Sequence, residues 1–360
     1  MLTLGCEEEY LLVDPPTRTV RPESALVVAA AAKELGGRVT RELTRYQVEV
    51  RTDPHHCLTA FARQVRTMRA ALARAAARYG LAVISSGAPV LSHPLPPSLS
   101  DGPRYARSQA MFGALDDEQS ICACHVHIAM PDLATALHVS NHLRTWLPLI
   151  IALSANSPFY EGRDTRYASW RTMSWARWPA AGPPPHFESQ AHFEDLVTHL
   201  IDTETIIDRS GLYWDIRPSH HVPTLEIRAA DAASIPEDTV LLVAVVRALA
   251  YTALHDIEAG RPPMRPRPET LRAAYWRAAR DGLSGQGIDL RTGRLAPAVS
   301  LFEHALKRIR PALEHHGDLE AVQTGWRRLQ AQGNGADRQR AVYQRRNDLT
   351  DVVDDLIQQF

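Results

Sequence analysis

Lysine is nearly absent from this 360-residue chain. Of its 40 lysine and arginine residues only Lys33 and Lys307 are lysines, one in an alanine-rich stretch and one in the C-terminal part. No GxxxxGK[ST] run occurs either. A phosphate site built on such a loop or on strand lysines is therefore excluded, and any phosphate charge must be met by metal ions and arginine. Cysteine is scarce as well. Cys6, Cys57, Cys122 and Cys124 form neither a CxxC pair nor a zinc ladder, and Cys122 and Cys124 read as small buried residues rather than redox groups. The longest apolar runs, Leu147–Ala155 and Val240–Val246, fall short of the ~20 residues a membrane span needs. No basic, apolar leader precedes Glu7, so a cytoplasmic protein is expected. The net charge of −1 points to neither a nucleic-acid nor a membrane-surface partner. There is no repeat, no low-complexity tract and no linker that would cut the chain in two.

What is present is ordinary globular composition, 45% hydrophobic and 22% charged. Strand patterns fall at Leu2–Val13, within Arg38–Arg51, and at Leu81–Ser85, Ile121–Met130, Trp214–Arg217 and Thr224–Ala229. Helical patterns fall at Ser24–Leu35, Leu58–Tyr79, Leu133–Asn156 (bent at Pro148), Phe193–Asp208 and Thr239–Glu258. Proline-rich stretches at 89–105 and 178–188 read as loops. The remainder to Phe360 is mostly helical, interrupted at Gly282–Gly293 and Gly333–Gly335. The expectation is one α+β domain over 1–360, with the motifs in 1–235 and a helical layer, 236–360, against the sheet.

The chemistry sits on the strands. Glutamate is depleted in strands, so Glu7-Glu8-Glu9, set between Leu2-Thr3-Leu4 and Tyr10-Leu11-Leu12-Val13, is unlike a solvated charge run. Alternation points Glu7 and Glu9 to one face, where two carboxylates repel unless a hard cation such as Mg²⁺ or Mn²⁺ lies between them. Glu42 and Glu49 are seven apart and reach a common site only if the chain bends between them; taken alone, Glu42 reads as a surface residue. His125 and His127 share a strand face at a metal-ligand spacing, although one core histidine and one hydrogen-bonded neighbour would look the same. Glu226 and Arg228 share another face and could simply pair with each other. Arg171, in a polar and aromatic segment, suits a bidentate grip on a carboxylate or phosphate. Together these clusters suggest divalent cations holding a polyphosphate.

Gly5–Asp14 (GCEEEYLLVD), Glu42–Thr52, His125–Ile128 (HVHI), Leu147–Phe159 (LPLIIALSANSPF), Asp164–Arg171, Pro179–Pro185 (PAAGPPP), Trp214–Ser219 (WDIRPS) and Pro223–Asp231 (PTLEIRAAD) occur in that order. In these motifs the chain resembles the carboxylate–amine ligases of the glutamate–cysteine ligase type 2 family, related in fold to glutamine synthetase. The resemblance implies a curved, mainly antiparallel sheet forming a funnel-shaped active site, with helices outside. It implies ATP as co-substrate, Mg²⁺ or Mn²⁺, a small-molecule acid and amine, and it leaves room for a homodimer. The family's acidic metal ligands map onto Glu7, Glu9, Glu42, Glu49 and Glu226, with His125 beside them. Its substrate-binding arginines map onto Arg171 and Arg228, while Arg217 and His127 map onto the nucleotide side. The implied reaction is phosphorylation of a carboxylate, by default the γ-carboxylate of glutamate, followed by attack of an amine, by default cysteine, with release of phosphate. A ligase of the same chemistry acting on other amino acids, a non-catalytic nucleotide-binding homologue and a zinc amidohydrolase built on the His-x-His pair are the rival readings. Two departures stand out: Ala123 and Arg166 replace glycines usual in the family, and Arg166 brings a bulky charge to the presumed substrate loop.

Overall fold

One long strand, β1 (Leu4–Val13), organises the sheet. It is followed by β2 (Val39–Arg41), β3 (Gln47–Arg51), β4 (Ala82–Ile84) and β5 (Ala123–Ala129), a small hairpin of β6 (Phe159–Tyr160) and β7 (Arg163–Asp164), then β8 (Ile216–Pro218) and β9 (Thr224–Asp231). The computed structural model describes residues 2–100 and 102–360; Asp101, inside the expected 89–105 loop, lies outside the described residues. The main sheet runs β2-β3-β1-β5-β9-β8, with β4 pairing the end of β1, and every pairing is antiparallel. Its terminal strands β2 and β8 are not joined, so the sheet is open. This is the expected α+β class with an antiparallel sheet and a helical C-terminal part.

The sheet's two faces differ in chemistry because strand residues alternate. Cys6, Cys124, Val126, Ile128, Leu225 and Ile227 turn to one face and enter a single apolar cluster with the helices behind it. From the first half, α2 (Leu58–Ala77) enters that cluster, while α1 (Ser24–Leu35) packs in a second one with Tyr10, Leu12, Val48 and Val50. The apolar residues Phe61, Val65, Met68 and Leu72 recur every three or four positions along α2, and all are buried. Then come α3 (Pro103–Phe112), α4 (Ala114–Asp117), α5 (Leu133–Leu143), α6 (Leu147–Ser154), α7 (Trp170–Trp175) and α8 (Gln190–Asp202). The central helix α9 (Pro236–Glu258) is apolar on most of its circumference. It is long and apolar enough to cross a membrane, but 67% of its most apolar window is buried inside the protein. Helices α10 (Pro268–Asp281), α11 (Ala298–His316), α12 (Leu319–Gln332), α13 (Gly335–Arg346) and α14 (Leu349–Gln359) complete the chain.

Several local expectations need correction. The helix expected over Leu133–Asn156 is two helices, α5 and α6, and Pro148 lies in the first turn of the second. A proline there costs no hydrogen bond, because the first amides of a helix have no intrahelical acceptor, so the break falls before it at Arg144–Trp146. Helix α8 starts at Gln190 rather than Phe193 because Ser189 caps it, its side chain accepting from the His192 amide. The 89–105 loop gives way to α3 at Pro103. The interruption at 282–293 contains the start of a hairpin, β10 (Gln286–Asp289) and β11 (Arg294–Pro297), whose turn residue Gly293 has φ +69°. Cys122 and Cys124 are buried and unbridged, as expected.

The middle glutamate of the acidic run faces the helices. Glu8 is buried, and its Oε1 accepts from Arg69 Nη2 of α2 at 2.5 Å and from the Thr239 hydroxyl of α9 at 2.7 Å. Its Oε2 accepts from the Tyr10 hydroxyl. Arg69 also donates to the carbonyls of Ala233 (2.9 Å) and Ser234 (3.1 Å), and its guanidinium lies over the rings of Tyr10 and Phe360. Removing one partner of a buried pair strands the other charge without water, at a cost of about 3–5 kcal/mol, whereas replacing both by apolar groups is often tolerated. Arg69→Met is therefore expected to lower unfolding free energy by about 3–5 kcal/mol in urea titrations, and the double change Glu8→Leu with Arg69→Met should lose less than Arg69→Met alone. A double variant that loses the sum of both single losses would show that the pair is not a coupled unit.

Candidate active site

The other face of the sheet carries a row of cross-strand polar pairs. Glu49 on β3 lies opposite Glu9 on β1, Glu7 opposite His125 on β5, His127 opposite Glu226 on β9, and Glu226 opposite Arg217 on β8. Adjacent antiparallel strands thus bring together residues that are up to 219 positions apart in sequence, Glu7 and Glu226. Glu42 joins from the connection between β2 and β3. That connection turns tightly, with Gln47 Oε1 accepting from the Thr44 amide (3.2 Å) and hydroxyl (2.7 Å), and the chain reverses between Glu42 and Glu49 as their spacing requires.

Ligand atoms of Glu9, Glu42 and Glu49 all lie within 4.8 Å of one another, and so do those of Glu7, His127 and Glu226. Crowding and burial show in the proton affinities. Burial, and then the charge of Glu42, push Glu9 up to about 8. Glu49 is raised by burial and then by Glu7, Glu42 and Glu9, and Glu42 is raised chiefly by burial. Burial would also raise Glu7, but a hydrogen bond from His125 and the proximity of His127, whose Nε2 lies 3.7 Å away, hold it well below the usual carboxylate range. Burial lowers His125 to about 4, with Arg228 adding to the effect, so its ring is neutral and Nδ1–H donates to Glu7 Oε2 at 3.3 Å. Glu226, buried, is held well below its usual range by Arg228 and Arg217. Arg217 grips it in bidentate fashion at 2.9 and 3.2 Å, and Arg228 Nη1 donates to the same carboxylate.

Arg171 is positioned by a scaffold anchored on Asp231 at the end of β9. Asp231 accepts from the hydroxyls of Ser157 and Ser169, each at 2.7 Å, and from the Asn156 amide at 2.8 Å. Ser169 caps α7, and Ser157 Oγ accepts from the Arg171 amide at 3.0 Å. Arg171 is 2% exposed; one Nη donates to the Arg228 carbonyl at 2.9 Å. The Nε atoms of Arg171 and Arg228 have no hydrogen-bond partner among the described residues. Both arginines line a cavity, and buried guanidinium N–H groups without acceptors call for an anion.

Eight of the ten residues singled out from sequence line one cavity of 270 Å³: Glu7, Glu9, Glu42, Glu49, His125, Arg171, Arg217 and Arg228. His127 and Glu226 lie against its Glu7 edge. A larger cavity of 740 Å³ lies among α6, α9, α10 and α11, but none of these ten residues reaches it. Sequence reasoning passed over part of the wall: Arg104 and Tyr105 on α3, Asp116, Gln119, Trp175, Trp178 and Tyr213. The two tryptophans, beside the proline-rich PAAGPPP loop, were the available signal; Asp116 and Tyr213 offered none. Lys33 and Lys307 lie exposed on α1 and α11, away from the cavity. Arg166 is exposed, is absent from the lining, and has φ +65°. A left-handed backbone there accounts for a glycine preference without any contact to substrate.

The donor set suits divalent cations. Glu9, Glu42 and Glu49 offer only hard oxygen ligands, and the one ion pair they make within 4 Å of an arginine among the described residues is that of Glu49 with Arg51, at 3.7 Å. In the second group His127 Nε2 is buried without a hydrogen-bond partner, while its Nδ1 is fixed by Thr224 Oγ1 at 2.9 Å.

Comparison with known proteins agrees with this geometry. The model of Glutamate-cysteine ligase family 2 (GCS2) matches residues 3–355. A Saccharopolyspora erythraea protein with the provisional name glutamate–cysteine ligase 2-1 is 44% identical, covering 99% of this chain and 94% of its own length. A protein of Mycobacterium sp. strain KMS, provisionally named glutamate–cysteine ligase 2-2, is 44% identical over 98% of this chain and 96% of its own. Two crystal structures share the fold at low identity. A glutamate–cysteine ligase from Francisella tularensis in complex with AMP has TM-score 0.70 and 12% identity, covering 99% of this chain and 88% of that one. A bifunctional glutathione synthetase from Pasteurella multocida has TM-score 0.73 and 15% identity, covering 99% of this chain and 52% of that longer one. A sheet whose acidic face meets arginines in place of lysines, matched along nearly its whole length, makes this chain a member of glutamate–cysteine ligase family 2, a family of ATP-dependent carbon–nitrogen ligases.

Proposed function

We propose that this protein uses ATP to phosphorylate a substrate carboxylate, by default the γ-carboxylate of glutamate, and then passes the acyl group to an amine, by default cysteine. The observation that carries this reading is the pair of buried arginines, Arg171 and Arg228, which have unpartnered Nε groups and line a cavity with a carboxylate-rich wall. A wall of that kind has no use for an anion of its own; it fits a cation-bound polyphosphate on one side and an acid held by guanidinium groups on the other.

Glu9, Glu42 and Glu49, and Glu7, His127 and Glu226, would hold Mg²⁺ or Mn²⁺, which when bound spread the negative charge of the transferring phosphoryl group. The chain's own part is placement. Arg171 and Arg228 orient the acid, His125 stays neutral and keeps Glu7 in place, and Arg217 on the nucleotide side is anchored by its contacts with Glu226 and with the carbonyls of Ser210 (2.9 Å) and Leu212 (2.8 Å). Phosphoryl transfer needs such positioning and charge neutralisation more than a protein nucleophile, and none is assigned here.

ADP formation is expected to require both a carboxylic acid and Mg²⁺ or Mn²⁺, measured with a coupled ADP assay. Activity with zinc but not magnesium would overturn the cation assignment. Glu49→Gln keeps the side chain's shape and loses its charge; turnover should fall by about 100-fold or more with the thermal unfolding midpoint retained. Wild-type turnover in this variant would return Glu49 to a structural role. Arg171→Lys should weaken the acid's apparent binding by roughly 1.5–3 kcal/mol, or about ten- to a hundredfold in KM, and leave the KM for ATP alone, because an ammonium group cannot reproduce the planar contact. The opposite split, acid affinity kept and ATP affinity lost, would place Arg171 on the nucleotide.

A further inference from the structure

One part of the cavity wall meets the acid-binding arginines only at its edge, where the Arg228 guanidinium lies 5.9 Å from the Trp175 ring centroid. Trp175, Trp178 and Tyr213 form a continuous aromatic surface there, with ring centroids 5.0 Å (Trp175–Tyr213), 5.3 Å (Trp178–Tyr213) and 6.0 Å (Trp175–Trp178) apart. The indole N–H groups are already used: Trp175 donates to the Tyr213 carbonyl and Trp178 to Gln119 Oε1, each at 3.1 Å. What remains for a ligand is the aromatic face that Arg228, over Trp175, and Phe112, 4.9 Å from Trp178, leave uncovered. In the same wall Asp116, on the one-turn helix α4, is 0% exposed. Its Oδ1 accepts from the Ser108 hydroxyl at 3.0 Å, and its Oδ2 has no hydrogen-bond partner among the described residues.

A buried carboxylate oxygen with no donor is costly unless a cation or an N–H group completes it. Asp116 joins neither group of candidate metal ligands among the described residues. A cation adjoining aromatic faces is favoured by their electron-rich surface, and the same faces take up an apolar group. We propose that Asp116, Trp175, Trp178 and Tyr213 form the subsite for the amine substrate: Asp116 Oδ2 holds a primary ammonium group, and the aromatic wall receives an apolar or aromatic side group. This assignment rests on the ligase reading above. An ammonium group cannot attack, because its lone pair is bound to a proton. In the subsite that proton passes to Asp116 Oδ2. The freed pair forms the C–N bond to the acyl carbon, the C–O bond to phosphate breaks, and phosphate leaves with that bond's electrons and takes up the second proton that the nitrogen must lose to become an amide.

The test compares two nucleophiles in the full-length protein with ATP, Mg²⁺ and glutamate. Hydroxylamine is small and largely unprotonated at neutral pH, so it needs neither the carboxylate nor the aromatic wall, and its hydroxamate product is measured directly. The amine arm uses cysteine, methionine, leucine, phenylalanine, tryptophan and phenethylamine, with the product read by mass. Asp116→Asn should lower the ratio of amine-dependent to hydroxylamine-dependent turnover by about 100-fold, the scale of a lost proton acceptor. Because the ratio is taken within one protein sample, partial misfolding does not change it. Tyr213→Ala serves as a second variant and should lower the same ratio more for phenylalanine and tryptophan than for cysteine. A ratio unchanged by Asp116→Asn and by Tyr213→Ala overturns the subsite while leaving the ligase reading intact. So does a wild-type protein that forms hydroxamate but accepts no amine of the panel. Absence of hydroxamate from the wild type overturns the ligase reading and this inference together.

Discussion

The buried Glu8–Arg69 pair sets the phase of the central strand, and the site depends on that phase. In a strand a shift of one residue exchanges the two faces. With Glu8 tied to α2, to the hydroxyl of Thr239 on α9 and, through Arg69, to the carbonyls after β9, that exchange would bury Glu7 and Glu9 among the apolar residues behind the sheet. Three consecutive glutamates therefore carry two unrelated duties. Glu8 locks the sheet to the helices, and its neighbours carry charge on the opposite face. The lock also explains why the helical part is needed by a site it does not line: α2 and α9 hold the strand that presents the carboxylates.

Concentrating carboxylates on one sheet face is unfavourable by itself, and the raised proton affinities of Glu9, Glu42 and Glu49 record it. The fold holds them there through backbone pairing, which is indifferent to side-chain charge. At the other edge the same face is better compensated, since Glu226 has two arginines and Glu7 accepts a hydrogen bond from His125. The cavity thus runs from an acidic end to an arginine end whose guanidinium groups still have unpartnered donors.

Much of this was legible in the sequence because period-2 alternation states which residues share a face. Glu7 with Glu9, His125 with His127, and Glu226 with Arg228 were each readable as pairs. The resemblance to a known family then joined the pairs into one site. Other features were hidden because they depend on which strands become neighbours. That Glu49 faces Glu9 and that His127 faces Glu226 follow from β1 and β5 lying centrally, and no local pattern encodes that order. Arg69 lies within the Leu58–Tyr79 helical pattern with nothing local to set it apart, and its burial follows only from the strand it meets. Asp116 and Tyr213 reach the cavity from a four-residue helix and from a connection between elements, where no periodicity reports on facing direction. Pro148 misled for a local reason, since the same residue that bends a helix from within also begins one without cost.

The scarcity of lysine has a consequence for how the cavity responds to its surroundings. Each positive group lining it is a guanidinium, Arg104, Arg171, Arg217 and Arg228. Guanidinium groups keep their proton at any pH at which a protein stays folded, and they cannot be acylated at neutral pH as an amine side chain can. A chamber that makes an activated acyl group is dangerous to any amine lining it. On the proposed mechanism this cavity would present the acyl donor with no amine side chain among its described lining residues to compete with the amine substrate.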